Sequence, residues 1–299
     1  MPIFKSKSTV CHHHKFISRF PEFIINALEE DIGSGDHTSL ACIPPDAKGS
    51  AHLLVKDTGI IAGVELAEKI FKQLDSSLVM EITIQDGTSV VPGDIIFEIA
   101  GSTQSILKGE RLVLNCMQRM SGIATLTREM ASSISDLNTK LLDTRKTTPG
   151  FRAMEKWAVK IGGGENHRIG LYDMIMIKDN HIDFSNGIKE ALASAQSYLQ
   201  VNQLDLPIAI EARTIEDVEA MILYGGMDRI MLDNMSPSTL KDAVKIIEKK
   251  AETEATGGIT RESLREYAET GVDFISVGAL THSAGSLDLS LKASNTVSQ

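Results

Sequence analysis

Two consecutive cationic pairs, Arg145-Lys146 and His167-Arg168, and a further lysine at Lys178 stand in a chain whose formal net charge is -10. Arg145 offers a planar fork that can grip a carboxylate through two parallel hydrogen bonds, whereas Lys146 is a movable point charge better matched to a phosphate. The run Asp143-Thr144-Arg145-Lys146-Thr147-Thr148-Pro149-Gly150 surrounds the first pair with three hydroxyls. Such a loop suits an anion; taken alone, it also suits a solvated turn that caps the next helix. The second pair follows Gly162-Gly163-Gly164, a backbone able to approach a ligand closely, although three glycines can simply end a helix. This is not the GxGxxG nucleotide fingerprint. Lys178 follows Met174-Ile175-Met176-Ile177, where a buried strand emerges, and a lysine at that point is costly unless paired or used.

Glu211 and Asp233 offer carboxylates at the ends of two further apolar runs. They suit Mg²⁺ bridged to substrate oxygens, or stabilisation of positive charge on a sugar; ion pairing with Arg213 or Arg229 is the structural alternative. Thr256-Gly257-Gly258 and Ser276-Val277-Gly278-Ala279-Leu280-Thr281-His282-Ser283 add small residues and hydroxyls, the materials of phosphate-binding loops.

These groups need elements to bring them together. Apolar strand candidates fall at 140–144, 174–177, 208–211, 229–232 and 274–277, with helical stretches between them. Among the helices, 151–161 ends at the three glycines, and 215–224 has Thr214 and Asp217 spaced as a capping box with Gly225 as its stop. Alternation of this kind predicts a parallel α/β sheet or barrel. Glu211, Asp233, Thr256 and Gly278 follow one another at intervals of 22, 23 and 22 residues, each at or just past a strand end. In a parallel arrangement they share the C-terminal face with Arg145 and Lys178, where barrel enzymes keep their chemistry. The earlier part reads differently: a helix over 22–31, short strands at 52–55, 79–84 and 94–99, turns at Gly87 and Pro92-Gly93, then helical packing over 109–134 interrupted at Ser121-Gly122.

Composition narrows the class. A 299-residue chain with 42% hydrophobic and 23% charged residues is long enough for one large barrel or two ordinary domains. Its acidic balance argues against nucleic acid or an anionic membrane as partner, so an anion must be caught by a local cluster. No apolar run reaches the roughly 18 residues of a membrane span. Cys11, Cys42 and Cys116 are odd in number and form no CxxC pair, which fits a reducing cytosol and a cytoplasmic protein. Residues 1–20 carry Lys5, Lys7, Lys15 and Arg19 and no acid, weakly like an organelle transit peptide but better read as a disordered basic tail. His12, His13 and His14 are adjacent on that tail and poorly placed to close around one metal ion.

Taken together, the motifs resemble those of the quinolinate phosphoribosyltransferase family. The resemblance runs from Glu30-Asp31-Ile32-Gly33 and Asp36-His37-Thr38-Ser39 through Gly109-Glu110-Arg111, Asn115 and Gln118-Arg119-Met120-Ser121-Gly122-Ile123-Ala124-Thr125. It continues through the Asp143 loop, the glycine-rich run to Arg168, Lys178-Asp179-Asn180-His181, Glu211-Ala212, Leu232-Asp233-Asn234, Gly257-Gly258-Ile259 and the stretch from Ile275 to His282.

The resemblance implies an α/β protein: an N-terminal α/β sandwich over 21–118, an incomplete, TIM-like α/β barrel over 119–285, and a tail, 286–299, returning to the first domain. It implies transfer of phosphoribose from 5-phosphoribosyl-1-pyrophosphate to quinolinate with loss of CO₂ and pyrophosphate, yielding nicotinate mononucleotide for NAD synthesis. Arg145, His167, Arg168 and Lys178 resemble the quinolinate cradle, joined by Arg111 from a partner subunit of a homodimer or higher homo-oligomer. Lys146, Glu211, Asp233, Thr256, Gly257, Gly258, Gly278 and His282 resemble the positions serving the phosphoribosyl group and pyrophosphate. Lys146, Glu211 and Asp233 are the catalytic candidates, and Glu211 and Asp233 the candidate Mg²⁺ ligands. Thr256 stands where the family pattern has serine, keeping the hydroxyl. Two other readings fit fewer residues: a barrel paralogue acting on another aromatic acid such as nicotinate, and a non-catalytic sensor of a phosphorylated metabolite.

Overall fold

The computed structural model describes residues 20–294. In chain order its elements are α1 (Phe20–Ile32), α2 (His37–Cys42), β1 (Lys48–Val55), β2 (Gly59–Ile60), α3 (Val64–Leu74), β3 (Val79–Ile82), β4 (Ser89–Val90), β5 (Ile95–Ser102) and α4 (Thr103–Ser132). There follow β6 (Lys140–Leu142), α5 (Arg152–Gly162), β7 (Ile175–Ile177), α6 (Asp179–Phe184), α7 (Ile188–Val201), β8 (Ile208–Ala212), α8 (Ile215–Tyr224) and β9 (Arg229–Asp233). The last are α9 (Pro237–Ile247), β10 (Glu252–Thr256), α10 (Leu264–Ala268), β11 (Phe274–Ser276), α11 (Ala279–His282) and β12 (Leu289–Ser294). They form two compact units that interleave in sequence. One gathers residues 20–128, Thr147–Gly163 and 280–294; the other gathers Glu129–Lys146 and Gly164–Ala279.

The first unit is built on an antiparallel sheet in the order β12-β1-β5-β3. β12 pairs with β1 from Ser50↔Ser294 to Val55↔Leu289, so the end of the described chain lies in register beside the first strand. α3 shows what holds such a unit together. It buries Val64, Leu66, Ala67, Ile70 and Phe71, while its exposed face carries the pairs Glu65–Lys69 and Glu68–Lys72. Each large buried side chain is worth ~1.5–3 kcal/mol and each surface pair about 0.3–0.5, so burial decides.

α4 runs unbroken through Ser121-Gly122, where an interruption is expected from the sequence. Both small residues are there for packing. Ser121 Oγ accepts from Ala62 N–H at 2.9 Å and donates to Ala62 C=O at 3.2 Å, and a Cβ on Gly122 would overlap the Gly285 carbonyl oxygen.

The second unit holds a six-stranded sheet in the order β6-β11-β10-β9-β8-β7, parallel throughout, with β6 and β7 at its edges: an incomplete barrel. Every residue of β8 is buried. α8 begins with the expected capping box, the Thr214 hydroxyl accepting from Asp217 N–H at 3.1 Å and the Asp217 carboxylate accepting from Thr214 N–H. β10 is the strand that hydropathy does not announce, because Glu252-Thr253-Glu254-Ala255-Thr256 carries two acids. Register explains it: Glu211, Met231, Glu254 and Phe274 stand side by side across β8, β9, β10 and β11, on the sheet face that also carries Arg229 two residues below Met231.

Among the described residues no helix is long and apolar enough to cross a membrane, and no group of three or more His, Cys, Asp or Glu is placed to hold a metal ion. Cys11, His12, His13, His14 and the rest of the basic stretch before Phe20 lie outside the described residues, as does the tail beyond Ser294.

Candidate active site

Parallel strands emerge together at one end of the sheet. Lys178 follows β7 directly, Glu211 is the penultimate residue of β8, Asp233 and Thr256 close β9 and β10, and Gly278 and Arg145 stand shortly after β11 and β6. The strand-end spacing therefore does bring these six residues to one edge of one unit. Asp233 and Thr256 are in direct register, and Asn234 N–H donates to Thr256 C=O at 2.9 Å. Gly257 has φ +97° and its backbone lies against Asn234, so a side chain there would collide with both the amide group and the backbone of Asn234. Asn234 Nδ2 donates to Asp233 Oδ2 at 2.8 Å.

The cations are arranged unequally. Lys178 Nζ is hydrogen-bonded to Glu211 Oε1, and Glu211 Oε2 accepts from Asp179 N–H at 3.4 Å. Arg168 donates from Nη1 to Met174 C=O at 3.1 Å, while its Nε is buried and has no hydrogen-bond partner among the described residues. Arg145 Nε is buried in the same condition. Burial, and then the positive charge of Arg145, hold Arg168 below the usual guanidinium range, with Asp173 and Glu211 opposing. Two guanidiniums that disfavour each other while carrying unpartnered buried donors make a strong field for an anion. Lys146 is exposed on the same loop, its N–H donating to Thr144 Oγ1 at 3.0 Å.

His167 is placed by residues that the sequence does not single out. Asp143, fully buried, accepts from His167 N–H at 2.8 Å and from Asn166 Nδ2 at 2.6 Å, and a bridge between Leu142 and Glu165 lays this segment beside β6. The imidazole is also buried. Its Nδ1 accepts from Arg168 N–H at 2.7 Å, and its Nε2 lies 3.2 Å from Oε2 of the fully buried Glu254, an electrostatic contact rather than an aligned hydrogen bond. Glu254 Oε2 further accepts from Arg229 Nη1 at 2.9 Å, and Arg229 stacks 4.0 Å from the Phe274 ring centre. Burial pushes the Glu254 carboxyl up, but His167 and Arg229 outweigh it and hold the group down to about 2. Arg229 thus pairs with Glu252 and Glu254 rather than with Glu211 or Asp233, and Arg213 pairs with Asp183. Among the described residues neither arginine pairs with Glu211 or Asp233; the ion-pair partner of Glu211 is Lys178.

Arg111 and His282 belong to the other compact unit. Arg111 is exposed on α4, and His282 closes α11 with Nδ1 at 2.6 Å from Ser283 Oγ. In that unit Glu155, fully buried on α5, holds the start of the Thr147–Gly163 segment: Thr148 donates to it from N–H and from Oγ1, both at 2.9 Å, and Arg119 from Nε at 3.1 Å.

Residues 36–121 match the quinolinate phosphoribosyl transferase N-terminal domain and residues 123–292 match the C-terminal domain of the same enzyme. The chain belongs to the quinolinate phosphoribosyltransferase family. Among relatives, a mitochondrial quinolinate phosphoribosyltransferase (decarboxylating) of Nicotiana tabacum is 48% identical over 281 residues, covering 89% of this chain and 80% of that one. A probable nicotinate-nucleotide pyrophosphorylase (carboxylating) of Bacillus subtilis is 45% identical over 262 residues, covering 88% and 89%. The solved structure of the nicotinate-nucleotide pyrophosphorylase from Francisella tularensis, 38% identical, superposes with a TM-score of 0.86 over 93% of this chain and 96% of that one.

Proposed function

We propose that this member of the quinolinate phosphoribosyltransferase family joins quinolinate to 5-phosphoribosyl-1-pyrophosphate, releasing pyrophosphate and CO₂ and leaving nicotinate mononucleotide for NAD synthesis. The observation that carries the reading at the site is the pair Arg145 and Arg168, half-buried, the charge of the first disfavouring that of the second and each with a buried, unpartnered Nε donor, on the rim that also holds Lys178 and two carboxylates. A pyridine dicarboxylate supplies two negative charges to such a rim. Nicotinate, with one carboxylate, would leave part of it unpaired at a cost in affinity.

Arg145, His167, Arg168 and Lys178 form the acid-binding cradle, with Arg111 contributed by a partner subunit of a homodimer or larger homo-oligomer. Lys146, Thr256, Gly257, Gly258, Gly278 and His282 serve the phosphoribosyl group and pyrophosphate. The pyridine nitrogen attacks the anomeric carbon as the bond to pyrophosphate breaks, and Glu211 and Asp233 stabilise positive charge on the sugar. The positive charge on the new pyridinium nitrogen then stabilises the electron pair left on the adjacent ring carbon as its bond to the carboxylate breaks, CO₂ leaves, and that carbon is protonated. The donor set fits Mg²⁺, which accepts one or two carboxylates together with substrate phosphates: Asp233 keeps Oδ1 unengaged among the described residues, while Glu211 is shared with Lys178. Magnesium held by Asp233 and Glu211 would neutralise charge on the departing pyrophosphate.

Incubation of the purified chain with Mg²⁺, quinolinate and the pyrophosphate donor should yield nicotinate mononucleotide and CO₂; no product means the assignment is wrong. Sharing of sites is tested by mixing Arg111→Ala and Lys178→Ala protomers, which regain part of the activity if the arginine acts across an interface and none if each chain works alone. Free Cys42 and Cys116 suit a reducing compartment, for which the cytoplasm is the proposed one, tested by fractionation.

A further inference from the structure

His167 enters the cradle as a potential cation when read from sequence, but its hydrogen bonds assign it a different state. A backbone N–H can only donate, so the 2.7 Å contact from Arg168 N–H requires an unprotonated Nδ1. The ring proton then belongs on Nε2, 3.2 Å from Glu254 Oε2. Glu254 cannot be displaced easily, because Arg229 holds the same oxygen at 2.9 Å and is itself fixed by Glu252 and by Phe274. Neither His167 nor Glu254 reaches solvent to any useful degree, with side-chain exposures of 5% and 0%.

We propose that Glu254, seated on Arg229, fixes His167 as the neutral, Nε2-protonated imidazole, and so acts as a positioning residue for the acid-binding rim. Two consequences follow for the site, given the quinolinate reading on which this rests. The peptide N–H of Arg168 is tied to the ring, so orienting the ring orients the backbone from which the Arg168 guanidinium projects. The positive charge offered to a dicarboxylate within this unit then comes from Arg145, Arg168 and Lys178. A doubly protonated ring would set Nδ1–H against Arg168 N–H and undo this arrangement. Arg229, 2.9 Å from the same carboxylate oxygen, is the fixed charge beside Glu254.

The decisive measurement is made on the wild-type protein. In the intact protein, labelled with ¹⁵N-histidine and assigned by loss of the signal in His167→Gln, the ring of His167 should show one protonated nitrogen, Nε2, and one unprotonated acceptor, Nδ1, at neutral pH. A doubly protonated ring, or a proton on Nδ1, overturns the proposal. Kinetics supply the functional half. Glu254→Gln should raise KM for quinolinate by about 10–100-fold, the loss of one buried charged partner, with a smaller change in kcat. Glu254→Asp should recover part of that, and combining Glu254→Gln with His167→Gln should be no worse than the poorer single variant. If the two losses multiply instead, Glu254 does not act through His167. Failure of the wild-type chain to turn over quinolinate would sink the activity while leaving the tautomer result standing, so the two failures are separable.

Discussion

Each compact unit hides a glutamate at zero exposure and pins it with an arginine, yet the two carboxylates spend their remaining capacity differently. Glu155, with Arg119, turns to the backbone and hydroxyl of Thr148 and so fastens a chain segment. Glu254, with Arg229, turns to the imidazole of His167 and so fastens a side chain at the candidate site. A buried carboxylate that serves a backbone is a structural clasp, while one that serves a side chain sets that side chain's direction and protonation. The same ion-pair chemistry therefore yields mainly stability in one unit and mainly site geometry in the other.

The largest test of this contrast is Glu155→Ala. It leaves the half-buried Arg119 head with the Thr281 and Ala284 carbonyls and frees two Thr148 donors, and removing one partner of a largely buried pair costs ~3–5 kcal/mol. Urea unfolding should show a loss in that range. A loss under about 1 kcal/mol, the value of a surface pair, would mean that Glu155 is no clasp.

Acid titration addresses the other member. Glu254 has a folded-state value of about 2 against an ordinary 4.5, so its ionised form is favoured by folding. Its contribution is fully present above pH 4.5 and is lost as pH falls toward about 2. Unfolding free energies of wild type and Glu254→Gln, measured down through that window, should therefore converge as the pH drops. Parallel curves would show that Glu254 is not held ionised by its neighbours. Carboxylates lowered elsewhere, such as Asp36 and Asp75, are common to both proteins and cancel in the difference.

Much of the fold and the rim was legible because strand ends are announced by apolar runs. Ile208 to Ile210 leads to Glu211, Ile230 to Leu232 leads to Asp233, and a parallel sheet must bring such ends together. What lies beneath the rim was not legible. Glu254 sits in a sequence of alternating acids and small residues that looks like a solvated edge, and only its register with Met231 and its bond to Arg229, 25 residues earlier, put it inside. Asp143 was seen as part of a loop, but its partners Asn166 and His167 come from 23 and 24 residues later. Sequence periodicity reports which face of a strand is apolar; it carries no signal for a charge whose burial is paid by a partner on another strand. The break anticipated at Ser121-Gly122 has a related cause, since small residues within a helix mark a loop and a close contact alike until the neighbour is known.

A milder change in the same clasp is Thr148→Ala, which removes only the Oγ1 donor to Glu155 and keeps the N–H bond. The expected loss is about 1 kcal/mol in urea unfolding, well below that of Glu155→Ala, because the carboxylate keeps its arginine. Equal losses from the two variants would transfer the clasp from the carboxylate to the hydroxyl.

The smallest effect belongs to an exposed arginine with partners as numerous as those of the arginines that hold the two buried glutamates. Arg265 bonds Asp136 through both Nη atoms at 2.7 and 2.8 Å and Glu269 through Nε at 2.9 Å, and those two carboxylates raise its pKa well beyond the ordinary guanidinium value. Its side chain is nevertheless 46% exposed, so water and salt screen both charges and the unfolded chain gives up little by separating them. Arg265→Ala should leave the melting temperature within measurement error at physiological salt, and raising the salt should not widen the gap. A drop comparable to that of Glu155→Ala would show that partner geometry alone, without burial, makes a clasp, and the contrast between the two buried glutamates would lose its physical basis.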